Sequence, residues 1–260
     1  MAKRRGRVLD GVLLLDKPVG LSSNHALQRA KRAMDAQKAG HTGTLDPFAT
    51  GLLVCCMGRA TKISGAMLNA DKAYLATIAF GHETDSGDHT GIVTKMASQD
   101  FAGVAQDQLE AVMQTFMGEQ MQIPPMVSAL KRDGKPLYEY ARQGIELERE
   151  PRRIVIHEMN LISCDERSAQ IHVLCSKGTY IRTLAQDIGR ALGCFAHLSA
   201  LRRTRVGPFV LDDAVTLEAL QHQDQPELAL ISIDSLPAGL MPEPKGSSNF
   251  LPGGMSAQTY

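Results

Sequence analysis

The stretch Gly40-His41-Thr42-Gly43-Thr44-Leu45-Asp46-Pro47-Phe48-Ala49-Thr50-Gly51, followed by the apolar run Leu52-Leu53-Val54-Cys55-Cys56-Met57, organises the chain. Its glycines allow positive φ and close backbone approach, while Pro47 fixes its own φ near helical values, so the segment reads as a shaped loop. One carboxylate, Asp46, stands in it with His41, Thr42 and Thr44 for company, a composition that suits a chemical site. A plainer reading competes: Asp46 as the N-cap and Pro47 as the first residue of a short helix. A nucleotide-binding loop is unsupported, because neither Gly-x-x-x-x-Gly-Lys-Ser/Thr nor a post-strand Gly-x-Gly-x-x-Gly is present.

Outward from this loop, Val8 to Leu15 reads as a buried strand closed by the polar turn Asp16-Lys17-Pro18-Val19-Gly20. Ser22 and Ser23 then cap a helix that puts Leu27, Ala30 and Met34 on one face and ends near Gly40. Downstream, Lys72 to Phe80 suits a strand buried on both sides, and Gly81 to Gly91 a polar loop. That loop carries Glu83, Asp85 and Asp88, but not at the spacing of a calcium loop.

Residues 106 to 118 look helical, Pro124-Pro125 breaks the pattern, and Ser128 to Arg142 mixes turn signals with a short basic-aromatic helix. After a charged hinge come strands over 154–162 and 170–175, then a helix over 183–192 with Leu184, Ile188 and Leu192 inward. From about Pro226 the sequence turns Pro/Gly/Ser-rich, and residues 226–260 read as an irregular tail. Strands and helices alternate without a strict βαβ repeat, which predicts an α+β fold: a mixed, largely antiparallel central sheet flanked by helices.

With 260 residues and 43% hydrophobic content the chain can bury a substantial core. No apolar run reaches the roughly 18 residues of a membrane-spanning helix, and the basic N-terminus lacks the apolar core of an export signal. The five cysteines (55, 56, 164, 175 and 194) are odd in number and form no Cys-x-x-Cys, so neither a disulfide framework nor a zinc site is expected. A reducing cytoplasm fits them. The zero net charge hides an asymmetry: residues 1–62 hold eleven Lys/Arg against four Asp/Glu, whereas Asp212 to Glu243 carries seven acids and no Lys or Arg. With a further cluster at Arg202, Arg203 and Arg205, the basic part reads either as a polyanion-binding face or as ordinary solvated charge.

Six segments, in order, resemble the bacterial TruB family of tRNA pseudouridine-55 synthases: Gly11 to Gly20, Gly40 to Gly51, Lys72-Ala73-Tyr74, Ile123 to Lys131, Leu137 to Gly144 and Ser176 to Thr183. The resemblance runs from about Arg4 to Leu220. It implies isomerisation of one uridine in the T-arm loop of tRNA to its C-glycoside, without metal or organic cofactor. It implies that Asp46 is the catalytic carboxylate, that Tyr74 lies against the target base, that His41 helps hold displaced loop bases, and that Tyr180, Arg182 and Leu201 line the pocket. Residues 1–225 would form the catalytic domain, with an RNA-gripping insertion at about 106–150.

The chemistry independently asks for an anionic group beside the sugar and a stacking surface for the loose base. Arg182 suits the role of cation for Asp46, being always charged and bidentate, and Lys17-Pro18 reads as support for the loop. The basic-aromatic run Lys131, Arg132, Lys135, Tyr138, Tyr140, Arg142 suits a lobe gripping the T arm. The target uridine would be flipped out of its stack. A monomer acting without an obligate protein partner or membrane is expected, and the PUA-like C-terminal domain common in the family reads as absent or vestigial. Two other functions fit the same residues: an RNA chaperone without turnover, and a guide-RNA-dependent pseudouridine synthase.

Overall fold

A computed structural model of the chain describes residues 6–241. The basic residues Lys3, Arg4 and Arg5 and the part of the expected tail beyond residue 241 lie outside the described residues. From the N-terminus the elements are β1 (Gly11–Lys17), α1 (Ser23–Ala33), β2 (Ala39–His41), β3 (Thr50–Met57), α2 (Ser64–Asn69), β4 (Lys72–Phe80), β5 (His82–Thr84), β6 (Val93–Met96), α3 (Gln106–Thr115) and β7 (Gly118–Gln122). There follow β8 (Lys131–Arg132), β9 (Lys135–Pro136), α4 (Leu137–Ala141), β10 (Arg152–Cys164), β11 (Ser168–Cys175), α5 (Ile181–Ala191), β12 (Ala196–Val206), β13 (Phe209–Val210), β14 (Val215–Thr216), α6 (Leu217–His222) and β15 (Leu230–Ile231).

One mixed sheet runs through the molecule in the order β14-β1-β3-β12-β4-β11-β10-β7, with β2, β13 and β15 attached to its flanks. Its pairings are antiparallel except β1 with β14 and β3 with β12, in keeping with the expected α+β class. At one end of the sheet, alternation on β1 and β3 is two-sided: Leu13, Leu15, Leu53, Cys55 and Met57 pack under α1 and α6. Val12, Leu14, Leu52, Val54 and Cys56 pack on the opposite face with Ile63, Met67, Val206 and Phe209. At the other end, Ala76, Ile78, Phe80, Ile171 and Val173 pack with Ile181, Leu184 and Ile188 of α5 and Leu109 and Met113 of α3. The parallel contact of β3 with β12 joins the two ends.

Several boundaries differ from the sequence expectation, each for a physical reason. The first strand covers Gly11–Lys17 rather than Val8 to Leu15: Val8 is exposed, while Asp16 and Lys17 stay in the strand because each has a partner there. The first helix stops at Ala33, and residues 39–41 return as β2 against β3. Asp46-Pro47 starts no helix, so the capping alternative is not realised.

The expected insertion at 106–150 is in fact two things. The helix α3 belongs to the core through Leu109 and Met113, and β7 belongs to the main sheet, which leaves residues 123–151 as the protruding lobe with the β8–β9 hairpin and α4. The segment expected to be an irregular tail from residue 226 instead rejoins the sheet: Leu230 and Ile231 pair with Leu13 and Val12 of β1, and Ile233, Leu236, Leu240 and Met241 pack against the core. Spacing between these apolar residues is irregular, which is why no period is visible in the sequence.

Candidate active site

Residues 42–49 bridge β2 and β3, and neighbours on three sides fix their backbone. From the start of α1, the buried Ser23 hydroxyl accepts from the Leu45 N–H (2.7 Å) and donates to the Leu45 carbonyl (3.0 Å). From β1, the fully buried Lys17 ammonium donates to the carbonyls of Leu21 (2.7 Å), Pro18 (2.9 Å) and Pro47 (3.5 Å), and the Gly20 N–H also reaches Pro47. From β12, the Arg203 guanidinium donates to Gly43 (3.2 Å), Thr44 (3.5 Å) and Leu52 (2.8 Å). With Leu45, Phe48 and Ala49 tucked into the core, the only ionisable side chain of the loop, Asp46, is held at its tip.

Asp46 faces Arg182, whose Nε lies 2.9 Å from its Oδ2. Arg182, in the first turn of α5, is almost fully buried. Its two terminal nitrogens donate to the carbonyls of Ser86 and Val127, both at 2.6 Å, so one guanidinium ties the Asp46 loop to the polar loop 85–91 and to the root of the protruding lobe. Asp88, buried, approaches the same Nε at 4.0 Å while its Oδ1 accepts from Thr90 and Ser86.

Burial pushes the Asp46 carboxyl above its ordinary range. Arg182 pulls it back, Asp88 adds to the rise, and Lys17 lowers it. Lys17 in turn is brought down to about 8 by burial, against the attraction of Asp46.

Asp46 stands between two cavities. The first, about 330 Å³, is lined by Tyr74, Tyr180, Arg182, Leu201, Arg203 and Lys72 among others. Strand register explains the grouping: Tyr74 pairs with Arg203 and Ala76 with Leu201 across β4 and β12, so alternate residues of both strands face the same space. Burial raises the Tyr74 hydroxyl to about 12, so the ring stays neutral, and it raises Tyr180 as well. Tyr180 is held by a side-chain amide: Gln122 of β7 donates to its carbonyl (3.1 Å) and accepts from its N–H (2.8 Å).

The second cavity, about 680 Å³, lies between the Asp46 loop and the protruding lobe and is lined by His41, Phe48, Ser128, Tyr138 and Arg142 among others. The His41 imidazole is kept neutral to lower pH by burial and by Arg203.

Of the residues singled out from the sequence, Asp46, Tyr74, Tyr180, Arg182 and Leu201 thus share one cavity, His41 faces the adjacent one, and Lys17 lies beneath the loop. Pro18 contributes only the carbonyl that Lys17 holds. Arg203, Lys72, Asp88 and Gln122 were not recognised as site residues from the sequence. Arg203 in particular was grouped with a surface cluster, yet it is 1% exposed, Arg202 is paired with Asp16 (2.7 Å) and Arg205 donates to the Gly207 carbonyl. No group of three or more His, Cys, Asp or Glu able to hold a metal occurs among the described residues.

Two family models match the chain: TruB family pseudouridylate synthase (N terminal domain) over residues 31–181, and the tRNA pseudouridylate synthase B C-terminal domain over residues 182–231. A tRNA pseudouridine synthase B of Bordetella avium is 72% identical over 242 residues, covering 93% of this chain and 99% of the relative. One from Burkholderia mallei is 57% identical over 234 residues, 88% of this chain and 76% of the relative. Among solved structures, a Cbf5-Nop10-Gar1 complex superposes with a TM-score of 0.68 at 30% identity, covering 88% of this chain and 61% of that one.

Proposed function

The chain belongs to the TruB family and is a tRNA pseudouridine synthase, an isomerase, and on that premise we propose that Asp46 is the carboxylate of the reaction and that the substrate is uridine 55 in the T-arm loop, flipped out of its stack into the Tyr74 cavity. The observation that carries this reading is the pairing of Asp46 with a buried arginine at the mouth of a cavity whose walls are tyrosine and leucine.

Isomerisation breaks the bond from N1 to ribose C1′, turns the uracil, and joins C5 to C1′, with a proton leaving C5 and another taken up at N1. Asp46 is suited to act at the sugar, as nucleophile or as base, and Arg182 favours its ionised form against the opposing effect of burial. Tyr74 and Leu201 offer flat apolar surface that retains the free base and keeps water out. The second cavity, with His41, Tyr138 and Arg142, suits the loop nucleotides next to the target, and the lobe over 123–151 the stem. We place the enzyme in the cytoplasm as a monomer; no helix among the described residues is long and apolar enough to cross a membrane.

The test is Asp46→Asn on an unmodified T-arm stem-loop. Asparagine preserves shape but supplies neither nucleophile nor base, so pseudouridine formation is expected to fall to background while RNA affinity holds or rises, a negative charge having left a polyanion site. Retained activity in a folded Asp46→Asn protein overturns the assignment of Asp46. Pseudouridine mapped at another position overturns the assignment of uridine 55.

A further inference from the structure

Two cations in the wall of the base cavity have no carboxylate partner. Lys72, 7% exposed, donates all three ammonium protons to backbone carbonyls, those of Met67 (3.1 Å), Leu68 (2.9 Å) and Ala70 (2.5 Å). Arg203, 1% exposed, donates to three backbone carbonyls and also bonds the neutral Tyr74 hydroxyl, so it too has no carboxylate among these partners. Both line the cavity that holds Tyr74, and Lys72 shares that residue's face of β4, two positions away, while Arg203 is its register partner on β12.

Opposite-sign groups near them do not neutralise the pair. Asp71 is half exposed and 3.4 Å from His157, Cys175 is a neutral thiol pushed up to about 12, and Lys177 adds positive charge beside Asn69. Across the cavity the account is different: the charge of Arg182 faces that of Asp46, with Lys17 and Asp88, one of each sign, behind the lining. One wall is balanced and the other carries two uncompensated positive charges.

Burying such charges costs stability unless something else demands them. Salt-independent packing does not: a shorter polar side chain could satisfy single carbonyls. The reaction does demand them. Whether Asp46 attacks C1′ or removes a ribose proton, the bond from C1′ to N1 breaks with its electron pair passing to the base. The detached uracil is therefore an anion until N1 regains a proton. We propose that Lys72 and Arg203 are fixed charges that stabilise this anion, drawing the glycosidic electrons toward the Tyr74 side of the cavity. Their carbonyl bonds hold them immobile, so no reorganisation is needed when the charge appears. The inference rests on the base occupying this cavity, as proposed above.

The test measures single-turnover loss of the N-linked nucleoside from a T-arm stem-loop carrying uridine or 5-fluorouridine at the target, because fluorine at C5 stabilises the departing anion by itself. Lys72→Gln and Arg203→Gln are expected to slow the uridine substrate by roughly 10- to 100-fold, the range of a lost electrostatic stabiliser. The same variants should slow the fluorouridine substrate several-fold less, with RNA affinity unchanged. Lys72→Arg, which keeps the charge, is expected to recover most of the rate.

Thermal melting of each variant identifies any that is unfolded, and Lys72→Gln, whose ammonium bonds Met67, Leu68 and Ala70 rather than the Asp46 loop, then decides. Equal losses on both substrates, or a Lys72→Arg protein as slow as Lys72→Gln, overturn the proposal. Asp46→Asn is run alongside: if it turns over, the reading of the cavity is at fault, and if it is inactive while the losses are equal, only the role of the two cations is.

Discussion

Asp46 is subject to opposing influences, and the balance among them is measurable. An ionised carboxylate is required for either sugar-directed role, and burial together with Asp88 favours the protonated form. The folded-state carboxyl therefore titrates above an ordinary aspartate, near 3.9, and activity on the acid side is expected to fall at higher pH than that. Asp88→Asn keeps an acceptor for Thr90 but removes a negative charge beside Asp46, so the acid limb of the pH–rate profile should move to lower pH. A limb that stays in place, or moves up, shows that Asp88 does not act on Asp46. At this scale the sequence was informative where a residue type is rare in its setting: a carboxylate among glycines, an arginine opening a helix. Gln122 and Asp88 were not legible, because what makes them matter lies 58 and 42 residues away in the chain: Tyr180, which Gln122 bonds, and Asp46, whose charge Asp88 opposes.

Among the elements, the contact of β3 with β12 decides where the site forms. The two strands run parallel for only two residue pairs, Thr50 with Arg202 and Gly51 with Arg203. Gly51 has φ near 99°, and a Cβ there would be driven into the Arg203 backbone, so this crossing accepts only glycine. Gly51→Ala is expected to destabilise the protein by roughly 2–4 kcal/mol and to loosen the Asp46 loop that Arg203 holds. Chemical denaturation checks the first and turnover the second. A change below about 0.5 kcal/mol would show that the crossing has slack.

The strands β1, β4, β10 and β11 were readable from their apolar runs, as were α1, α3 and α5, whereas β12 was not. The burial of Arg203 was not, since Arg202-Arg203-Thr204-Arg205 looks like a surface run. Its strand carries a register shift between Arg203 and Arg205 that breaks the alternation a reader would follow.

For the whole molecule, the zero net charge gives a poor guide to RNA affinity, because charge is used in two ways. Arg203, Lys72, Lys17 and Arg182 are buried in or beneath the site, whereas Lys131, Arg132 and Lys135 stand exposed on the protruding lobe. Only exposed cations release counterions when they meet phosphates. Binding of a T-arm stem-loop should weaken steeply with salt, and Lys131→Gln with Lys135→Gln should flatten the slope of log affinity against log salt by about one unit or more. Arg203→Gln should leave that slope alone. A slope unchanged by the lobe variants would mean that the stem docks elsewhere.

The sheet also imposes a schedule on its own making. The strand β1 is synthesised well before the residues that close its outer edge, Val215, Thr216, Leu230 and Ile231. Until some two hundred further residues have been synthesised, the N-terminal strands carry an open edge and a bare apolar face. Nascent chains in that condition are those that aggregate or recruit chaperones. Among the described residues the last strand and the first are neighbours, so β1 gains its edge partners only once residues 215–231 have been made.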